Sequence, residues 1–284
     1  MSPVFYHQFS PCFLGNKLLT NPAQHALIIK TTKSYYNKKF ISAQEGGQDM
    51  VVKRIFHNPS FIILFFLLFL ISFLAKASNL PNSSSNFSPY WHQRASLFRL
   101  LPDTPGEIIF LGDSLTDGCD WAEIFQDWRV KNRGISGDTT AGVIARLDEV
   151  VSSKPAKIFL MVGVNDLAQG KNPADIINNI KLIVKKIKIS SPQTKIYLQS
   201  LLPVNPSFPI FPDHVNKASQ IKQINQVLQR DAPRLKAAFI NLYDSFATSE
   251  GYLKSELTND GLHLTGKGYL LWKSLIEVYL KTNP

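Results

Sequence analysis

The chain has 284 residues, 44% hydrophobic and 18% charged, which is an ordinary globular composition with room for one large domain. Its net charge is +10, but residues 1–77 contribute +6 of this and the longer remainder only +4. A basic leader is not a basic stripe on a folded domain, so the charge gives no argument for a nucleic-acid partner. Of the two cysteines, only Cys119 lies beyond that leader, which excludes an intrachain disulfide in the mature domain.

The first recognisable pattern is a leader that begins at Met50. Two basic residues precede an apolar run, and a small-x-small site ending at Ala77 follows it, in the order of a secretory signal. The apolar run is about 15 residues long, short of the ~20 that a membrane-spanning helix needs. We therefore expect a cleaved signal peptide over 50–77 and a secreted or periplasmic protein. The alternative is an uncleaved membrane anchor through residues 61–75.

The flanks of this leader define the expected domain organisation. Residues 1–49 show no periodicity and no motif; because a signal peptide starts a chain, they are a candidate N-terminal extension ahead of a start at Met50. Residues 78–89 are rich in Ser, Asn and Pro and indicate a flexible linker. The functional domain is therefore expected over 90–284.

From residue 90 onward, helical and strand patterns alternate. Apolar positions predict an amphipathic helix from Tyr90 to Leu101 ahead of the first strand. Short apolar runs then predict buried strands, and apolar residues at helical spacing predict the helices between them. The strands are Ile108–Leu111, Arg129–Asn132, Ile158–Val162, Ile196–Leu201 and Phe239–Leu242; the helices are Thr139–Val151, Ala174–Ile189, Lys217–Arg230 and Gly266–Leu280. This alternation predicts an α/β domain of three layers, with helices on both faces of a doubly wound, five-stranded parallel sheet.

Polar residues follow the predicted strands, at the sheet edge where open α/β proteins bind ligands. Ser114 stands at the turn after the first strand and is the candidate nucleophile. A serine hydroxyl needs a base, and the base needs an acid to orient it. Asp260 precedes His263 by three residues, so it can hold the imidazole Nδ1 and leave Nε2 for the serine proton. His214 has no such acid partner at short spacing and is set aside.

Two further residues are candidate donors to a substrate oxyanion. Gly134 has no side chain, so a substrate oxygen can approach its backbone N–H closely. Asn165 offers a neutral side-chain amide to the same oxygen. Each motif alone also has a structural interpretation as a turn or a helix cap, and the specific signal is their joint occurrence at successive strand ends. No residues at metal-ligand spacing accompany them, so neither a metal nor a cofactor is expected.

The motifs together resemble those of the SGNH (GDSL) hydrolases. In chain order they are Gly112-Asp113-Ser114-Leu115, Gly134, Gly163-x-Asn165-Asp166 and Asp260-x-x-His263. The run from Asn132 to Thr140 is similar to the branch that includes the platelet-activating-factor acetylhydrolase catalytic subunits. The resemblance implies a flavodoxin-like sheet of order 2-1-3-4-5. It also implies a Ser114–His263–Asp260 triad and an oxyanion hole made by the Ser114 N–H, the Gly134 N–H and the Asn165 side chain.

These observations predict an exported serine ester hydrolase. The expected substrates are short-chain acyl esters of small molecules or glycans, O-acetyl groups on carbohydrate among them. One alternative is a lysophospholipase or thioesterase that acts on longer acyl chains. Another, from outside the enzymes, is a glycan- or lipid-binding module without turnover. The loop over residues 203–215, which carries Phe208 and Phe211, is a candidate wall of an acyl or leaving-group pocket.

Overall fold

The computed structural model describes residues 87–281. The expected N-terminal extension, the signal peptide and residues 78–86 of the linker lie outside that range. Helix α1 (Pro89–Leu100) begins one residue earlier than predicted, because proline suits a first helical turn and the Ser88 side chain caps the Trp91 N–H. Among the described residues, no helix combines the length and the apolar character needed to cross a membrane.

Five parallel strands form one sheet in the order β2-β1-β3-β4-β5. The strands are β1 (Ile108–Gly112), β2 (Val130–Gly134), β3 (Lys157–Met161), β4 (Lys195–Gln199) and β5 (Ala238–Ile240). Every residue of β1 and β3 is buried, since helices cover both faces of the sheet, and this explains the continuous apolar runs over 108–111 and 158–161. The predicted α/β class and the order 2-1-3-4-5 are confirmed.

The remaining helices of the described chain form the layers on either side of the sheet. They are α2 (Ser114–Asp117), α3 (Trp121–Phe125), α4 (Thr140–Ala145), α5 (Leu147–Val151), α6 (Val164–Ala168), α7 (Pro173–Ser190), α8 (Ala218–Asp231), α9 (Tyr243–Phe246) and α10 (Gly266–Lys281), with a 3₁₀ turn at Ser255–Leu257. Helix α7 contacts α4 and α8, whereas α10 contacts α3.

An aromatic stack joins the sheet to α3 and α10. Phe110, Phe159 and Tyr197 lie in register on neighbouring strands, with ring centroids 4.9 and 4.7 Å apart. Trp121 stacks on Phe110 at 4.2 Å, and Trp272 meets Trp121 edge-on at 5.0 Å. Burying a phenylalanine side chain stabilises a fold by roughly 1.5–3 kcal/mol. The strand that delivers the candidate nucleophile is therefore fixed in a rigid core.

The single helix predicted over 139–151 is wrong: two helices, α4 and α5, meet at Arg146. Arg146 has φ −119° and ψ 15°, outside the helical range. Its buried guanidinium donates to Asp138 Oδ2 at 2.9 Å, Glu149 Oε1 at 3.2 Å, the Gly112 carbonyl at 3.2 Å and the Arg133 carbonyl at 2.8 Å. A buried cation requires such partners, and the break in the helix places this side chain beneath the ends of β1 and β2.

Candidate active site

Ser114 stands where β1 gives way to a helix. The strand ends at Gly112, the chain turns at Asp113, and Ser114 is the first residue of α2. Asp113 Oδ1 accepts the Leu115 N–H at 3.0 Å and so caps the helix. The side chain of Ser114 is partly exposed, and its N–H is one of the first-turn groups that an α-helix leaves without an internal acceptor.

The loop before α10 carries the acid and the histidine. Asp260 Oδ1 accepts the Leu262 N–H at 2.8 Å and the His263 N–H at 2.7 Å, so the backbone wraps around the carboxylate. Gly261 has φ +87°, and a Cβ there would lie 2.6 Å from the Asn205 carbonyl oxygen. The Asn205 N–H donates to the Gly261 carbonyl at 2.8 Å, which ties this loop to the loop after β4.

The structure brings the serine, the histidine and the acid together at the sheet edge. Ser114 Oγ lies 2.9 Å from His263 Nε2, and His263 Nδ1 lies 2.8 Å from Asp260 Oδ2. Because a carboxylate only accepts hydrogen bonds, Nδ1 carries the proton and Nε2 turns its lone pair to the hydroxyl. Burial raises the pKa of Asp260, but the Leu262 and His263 N–H groups and the imidazole outweigh it and leave the pKa below its ordinary value. The arrangement can take the serine proton and stabilise the imidazolium that forms.

Asn165 is buried in the first turn of α6 and is held at both ends of its carboxamide. Its Nδ2 donates to the Asp138 carbonyl at 2.8 Å, and its Oδ1 lies 3.0 Å from His214 Nε2. An amide nitrogen has two hydrogens, so one Nδ2–H is left to meet a substrate oxygen. Helix α6 begins after Gly163, whose φ of +137° is a conformation that glycine adopts without strain.

The N–H of Gly134, expected to bind the oxyanion, is already engaged, and this expectation is corrected. Asn132 Oδ1 accepts that N–H at 2.8 Å, while Asn132 Nδ2 donates to the carbonyls of Thr116, Asp117 and Cys119 at 3.0, 3.0 and 2.9 Å. Gly134 ends β2, and a Cβ there would lie 2.7 Å from Asp117 Cα. The position requires glycine because β2 packs closely against α2, not because a substrate approaches it.

The next glycine of the same loop has an available N–H. The neighbouring N–H groups of Ile135, Ser136, Asp138 and Thr139 donate within the described protein, whereas that of Gly137 has no acceptor among residues 87–281. Gly137 is exposed and has φ +79°. It directly precedes Asp138, whose carbonyl holds Asn165. Gly137 was not among the residues predicted from the sequence, although its position beside the aspartate of the loop was a signal.

A second histidine, His214, also lies in the site, although it has no acid partner at short spacing in the sequence. The loop after β4 places the Phe211 ring between two imidazoles, with centroids 5.1 Å from His263 and 5.8 Å from His214. Phe211 therefore contacts the candidate base, while a role for the loop over 203–215 as the wall of an acyl or leaving-group pocket stays a prediction. Burial lowers the pKa of His214, and the neighbouring His263 lowers it further, so the His214 ring is neutral near pH 7.

A cleft of about 1010 Å³ opens beside the loop that carries Gly137 and Asp138. It begins at Gly137, Asp138 and Asp166, and neither Ser114 nor His263 lines it. One end presents the stacked rings of Phe87 and Trp91, 4.3 Å apart, and the rest is mainly polar, with Gln169, Lys171, Asp175, Asn178 and Asn179. Aromatic faces beside carboxamides and carboxylates suit a ligand that carries both apolar surface and hydroxyl groups.

Two other groups near the triad have shifted acidities. Burial raises the pKa of Cys119 to about 12, so this thiol stays protonated and is a poor nucleophile. Burial also raises the pKa of Asp113 to about 7. Within the part of the chain that the structure describes, no three His, Cys, Asp or Glu side chains are grouped to hold a metal ion.

Comparison with known proteins agrees with this geometry. Residues 110–271 match the GDSL-like lipase/acylhydrolase family. The chain is 32% identical over 206 residues to the platelet-activating factor acetylhydrolase IB subunit alpha2 of Homo sapiens, and 30% identical over 204 residues to that of Rattus norvegicus. Both matches cover 67% of this chain and 84% of the relative. A solved GDSL-like lipase from Bacteroides thetaiotaomicron is similar at a TM-score of 0.59 and 26% identity, over 67% of this chain and 97% of that one. The chain therefore belongs to the GDSL-like lipase/acylhydrolase family and is a carboxylic ester hydrolase.

Proposed function

We propose that this protein is an exported hydrolase of short-chain acyl esters, O-acetyl esters of carbohydrate among them, with Ser114 as nucleophile, His263 as base and Asp260 as its orienting acid. The observation that carries the proposal is the continuous hydrogen-bond chain from Ser114 Oγ through the imidazole to the Asp260 carboxylate. Its links of 2.9 and 2.8 Å are within the range for proton transfer to a general base.

The reaction is a two-step acyl transfer. His263 Nε2 takes the Ser114 proton as Oγ attacks the ester carbonyl, and the tetrahedral intermediate then releases the alcohol with that proton. Water attacks the acyl-enzyme in the same way and regenerates the free serine. Asp260 stays ionised throughout, because its lowered pKa favours the carboxylate beside the imidazolium.

Three donors are available for the oxyanion of both intermediates. We assign them to the Ser114 N–H, the Gly137 N–H and the second Asn165 Nδ2–H, with Gly137 in place of the occupied Gly134. Loss of one such donor costs about 10²–10³ in kcat in enzymes of this type. Asn165→Ala is therefore expected to lower kcat for p-nitrophenyl acetate by that factor.

The nucleophile is tested by substitution and labelling. Ser114→Ala should lose several orders of magnitude of kcat and all labelling by a fluorophosphonate. Ser274→Ala, which alters an exposed serine on α10, is the matched control and should behave as wild type. Ester hydrolysis that survives in Ser114→Ala would end the assignment, and a wild-type chain that the fluorophosphonate leaves unlabelled would favour a binding module without turnover.

Two observations support short acyl groups on a hydroxylated alcohol. The relatives at 30–32% identity are named acetylhydrolases, and most of the residues that line the cleft beside the oxyanion donors carry polar side chains. A series of p-nitrophenyl esters separates this proposal from a lysophospholipase or thioesterase. Preference for acetate over octanoate supports it, and preference for octanoate or longer esters favours the alternative.

Binding of an acetylated carbohydrate in the cleft can be tested separately. Asn178 is exposed in the cleft and remote from the triad in sequence. Asn178→Ala should raise KM for an acetylated oligosaccharide while kcat/KM for p-nitrophenyl acetate stays unchanged. Equal KM values for the oligosaccharide in both proteins would remove the cleft from the substrate site.

Export rests on the signal-like pattern over 50–77. N-terminal sequencing of the protein recovered outside the cytoplasm tests it. A mature chain that begins at Ser78 supports cleavage, whereas a membrane-bound chain that retains residues 61–75 supports the anchor. A chain that retains residues before Met50 would refute the proposed start.

A further inference from the structure

The imidazole of His214 contacts the candidate oxyanion donor rather than the nucleophile. Its Nε2 lies 3.0 Å from Asn165 Oδ1, across 49 positions of sequence. Its ring packs edge-on against Phe211, which also contacts the candidate base. His214 Nδ1 is buried and has no hydrogen-bond partner among residues 87–281.

The hydrogen bonds fix which atom donates at each link. The Asp138 carbonyl can only accept, so the Asn165 atom 2.8 Å from it must be the amide nitrogen. The carboxamide oxygen therefore faces His214, and because that oxygen also only accepts, His214 Nε2 must carry the hydrogen. A neutral ring with its proton on Nε2 leaves a bare lone pair on Nδ1, and the lowered pKa of His214 agrees with a neutral ring.

We propose that His214 is a positioning residue of the ester hydrolase: its Nε2–H fixes the Asn165 carboxamide so that the free Nδ2–H faces the oxyanion. This rests on the proposed function, since the orientation of Asn165 matters for rate only if its amide binds the oxyanion. The terminal torsion of asparagine is broad and roughly two-fold. Contacts at both the oxygen and the nitrogen restrict that torsion, and a preorganised donor loses no energy to reorientation when charge develops.

Substitutions at 214 separate the hydrogen bond from the packing of the ring. His214→Phe keeps an aromatic ring beside Phe211 and removes the donor, whereas His214→Gln places an amide N–H near the former Nε2. Partners that orient a functional side chain are worth about 10–100-fold where they have been measured at metal sites. His214→Phe should lower kcat for p-nitrophenyl acetate by about that factor with KM little changed, and His214→Gln should recover most of the loss.

A double-mutant cycle tests whether the effect passes through Asn165. In an Asn165→Ala background, His214→Phe should cause no further loss of kcat, because the group it positions is gone. The same fold loss in both backgrounds would overturn the proposal, and so would wild-type kcat in His214→Phe. If Asn165→Ala itself is fully active, the oxyanion assignment in the proposed function fails instead. Fluorophosphonate labelling of Ser114 in each variant shows that the nucleophile is intact.

The ring proton gives a readout that does not depend on activity. Two-bond proton–nitrogen correlation spectra of the wild-type protein should show His214 protonated at Nε2 and bare at Nδ1 at pH 7. In Asn165→Ala the preference for that tautomer should weaken, because the acceptor is lost. A His214 ring that is protonated at Nδ1 and bare at Nε2 would contradict the proposal, since Nε2 could then not donate to Asn165.

Discussion

Asp113 provides a sharp test of the electrostatics beneath the nucleophile turn. Its carboxyl is 1% exposed; Oδ1 accepts the Leu115 N–H at 3.0 Å, and Oδ2 has no partner among the described residues. Burial, together with the nearby Asp138 and Asp166, raises the pKa of Asp113 to about 7 against the lowering effect of the Leu115 N–H. The folded protein therefore holds a proton on Asp113 over a pH range in which the unfolded chain has lost it.

The sign and size of the effect follow from proton linkage. Stability falls with rising pH wherever the folded state binds more protons than the unfolded state, here between about pH 4 and pH 7. A tenfold change in proton affinity corresponds to about 1.4 kcal/mol, so a pKa moved from 3.8 to about 7 lowers the free energy of unfolding by about 4 kcal/mol at pH 8. Asp113→Asn mimics the protonated carboxyl, keeps the acceptor for the Leu115 N–H and removes the titration.

We expect Asp113→Asn to match wild type at pH 4 and to be more stable by roughly 2–4 kcal/mol at pH 8, with relaxation of the site reducing the full linkage value. Urea unfolding followed by tryptophan fluorescence at intervals from pH 4 to pH 8 measures the difference. Asp120→Asn, which removes an exposed carboxylate a few residues away, is the matched control for the loss of one acidic side chain. A difference in the free energy of unfolding between wild type and Asp113→Asn that does not change with pH would refute the reasoning.

Three further outcomes are expected. Arg146→Met leaves buried carboxylates unpaired and should lower the free energy of unfolding in urea by about 3–5 kcal/mol, whereas Arg99→Ala, at an exposed pair of 3.5 Å, should change it by less than about 0.5 kcal/mol. Gly261→Ala, at φ +87°, would place a Cβ 2.6 Å from the Asn205 carbonyl oxygen. By displacing the loop that carries Asp260 and His263, it should lower kcat for p-nitrophenyl acetate at least about 10-fold. Gly170→Ala, at φ +78° with nothing within 4 Å of the added Cβ, is the control and should keep full kcat. Dialysis against EDTA should leave hydrolysis unchanged, and a loss restored by one divalent ion would contradict the expectation that no metal takes part.

The sheet was predictable because its signal is local. A parallel strand that is buried on both faces has consecutive apolar residues, and the run Ile108–Leu111 is an example. The weaker pattern at Arg129–Asn132 gave the second strand one residue early and two residues short, since β2 runs from Val130 to Gly134 and is partly exposed. Asp260 and His263 were found together because their contact is made within one loop.

The parts that the sequence did not predict depend on contacts between distant residues. A continuous helix over 139–151 has the right periodicity, and its sequence does not reveal that Arg146 binds the carbonyls at the ends of two distant strands. His214 was rejected for lack of a local acid, yet its partner is a carboxamide 49 positions away. Gly134 was predicted to be an oxyanion donor because it has no side chain. The sequence does not reveal that α2 packs against this position and leaves no room for one.

One buried cation relates the candidate nucleophile to the proposed oxyanion donors. Arg146 binds the carbonyl of Gly112, two residues before Ser114, and the carboxylate of Asp138, whose own carbonyl holds Asn165. Arg146 and its partners thus join the ends of β1, β2 and β3. Because moving one of these buried polar groups would leave another without a partner, the spacing between the strand ends stays constant. The loop after β4, with Phe211 and His214, approaches from the other side and is only partly buried. We therefore expect the fixed edge to set the rate of acyl transfer, and changes in that loop to alter substrate preference and the orientation of Asn165 without disturbing the sheet.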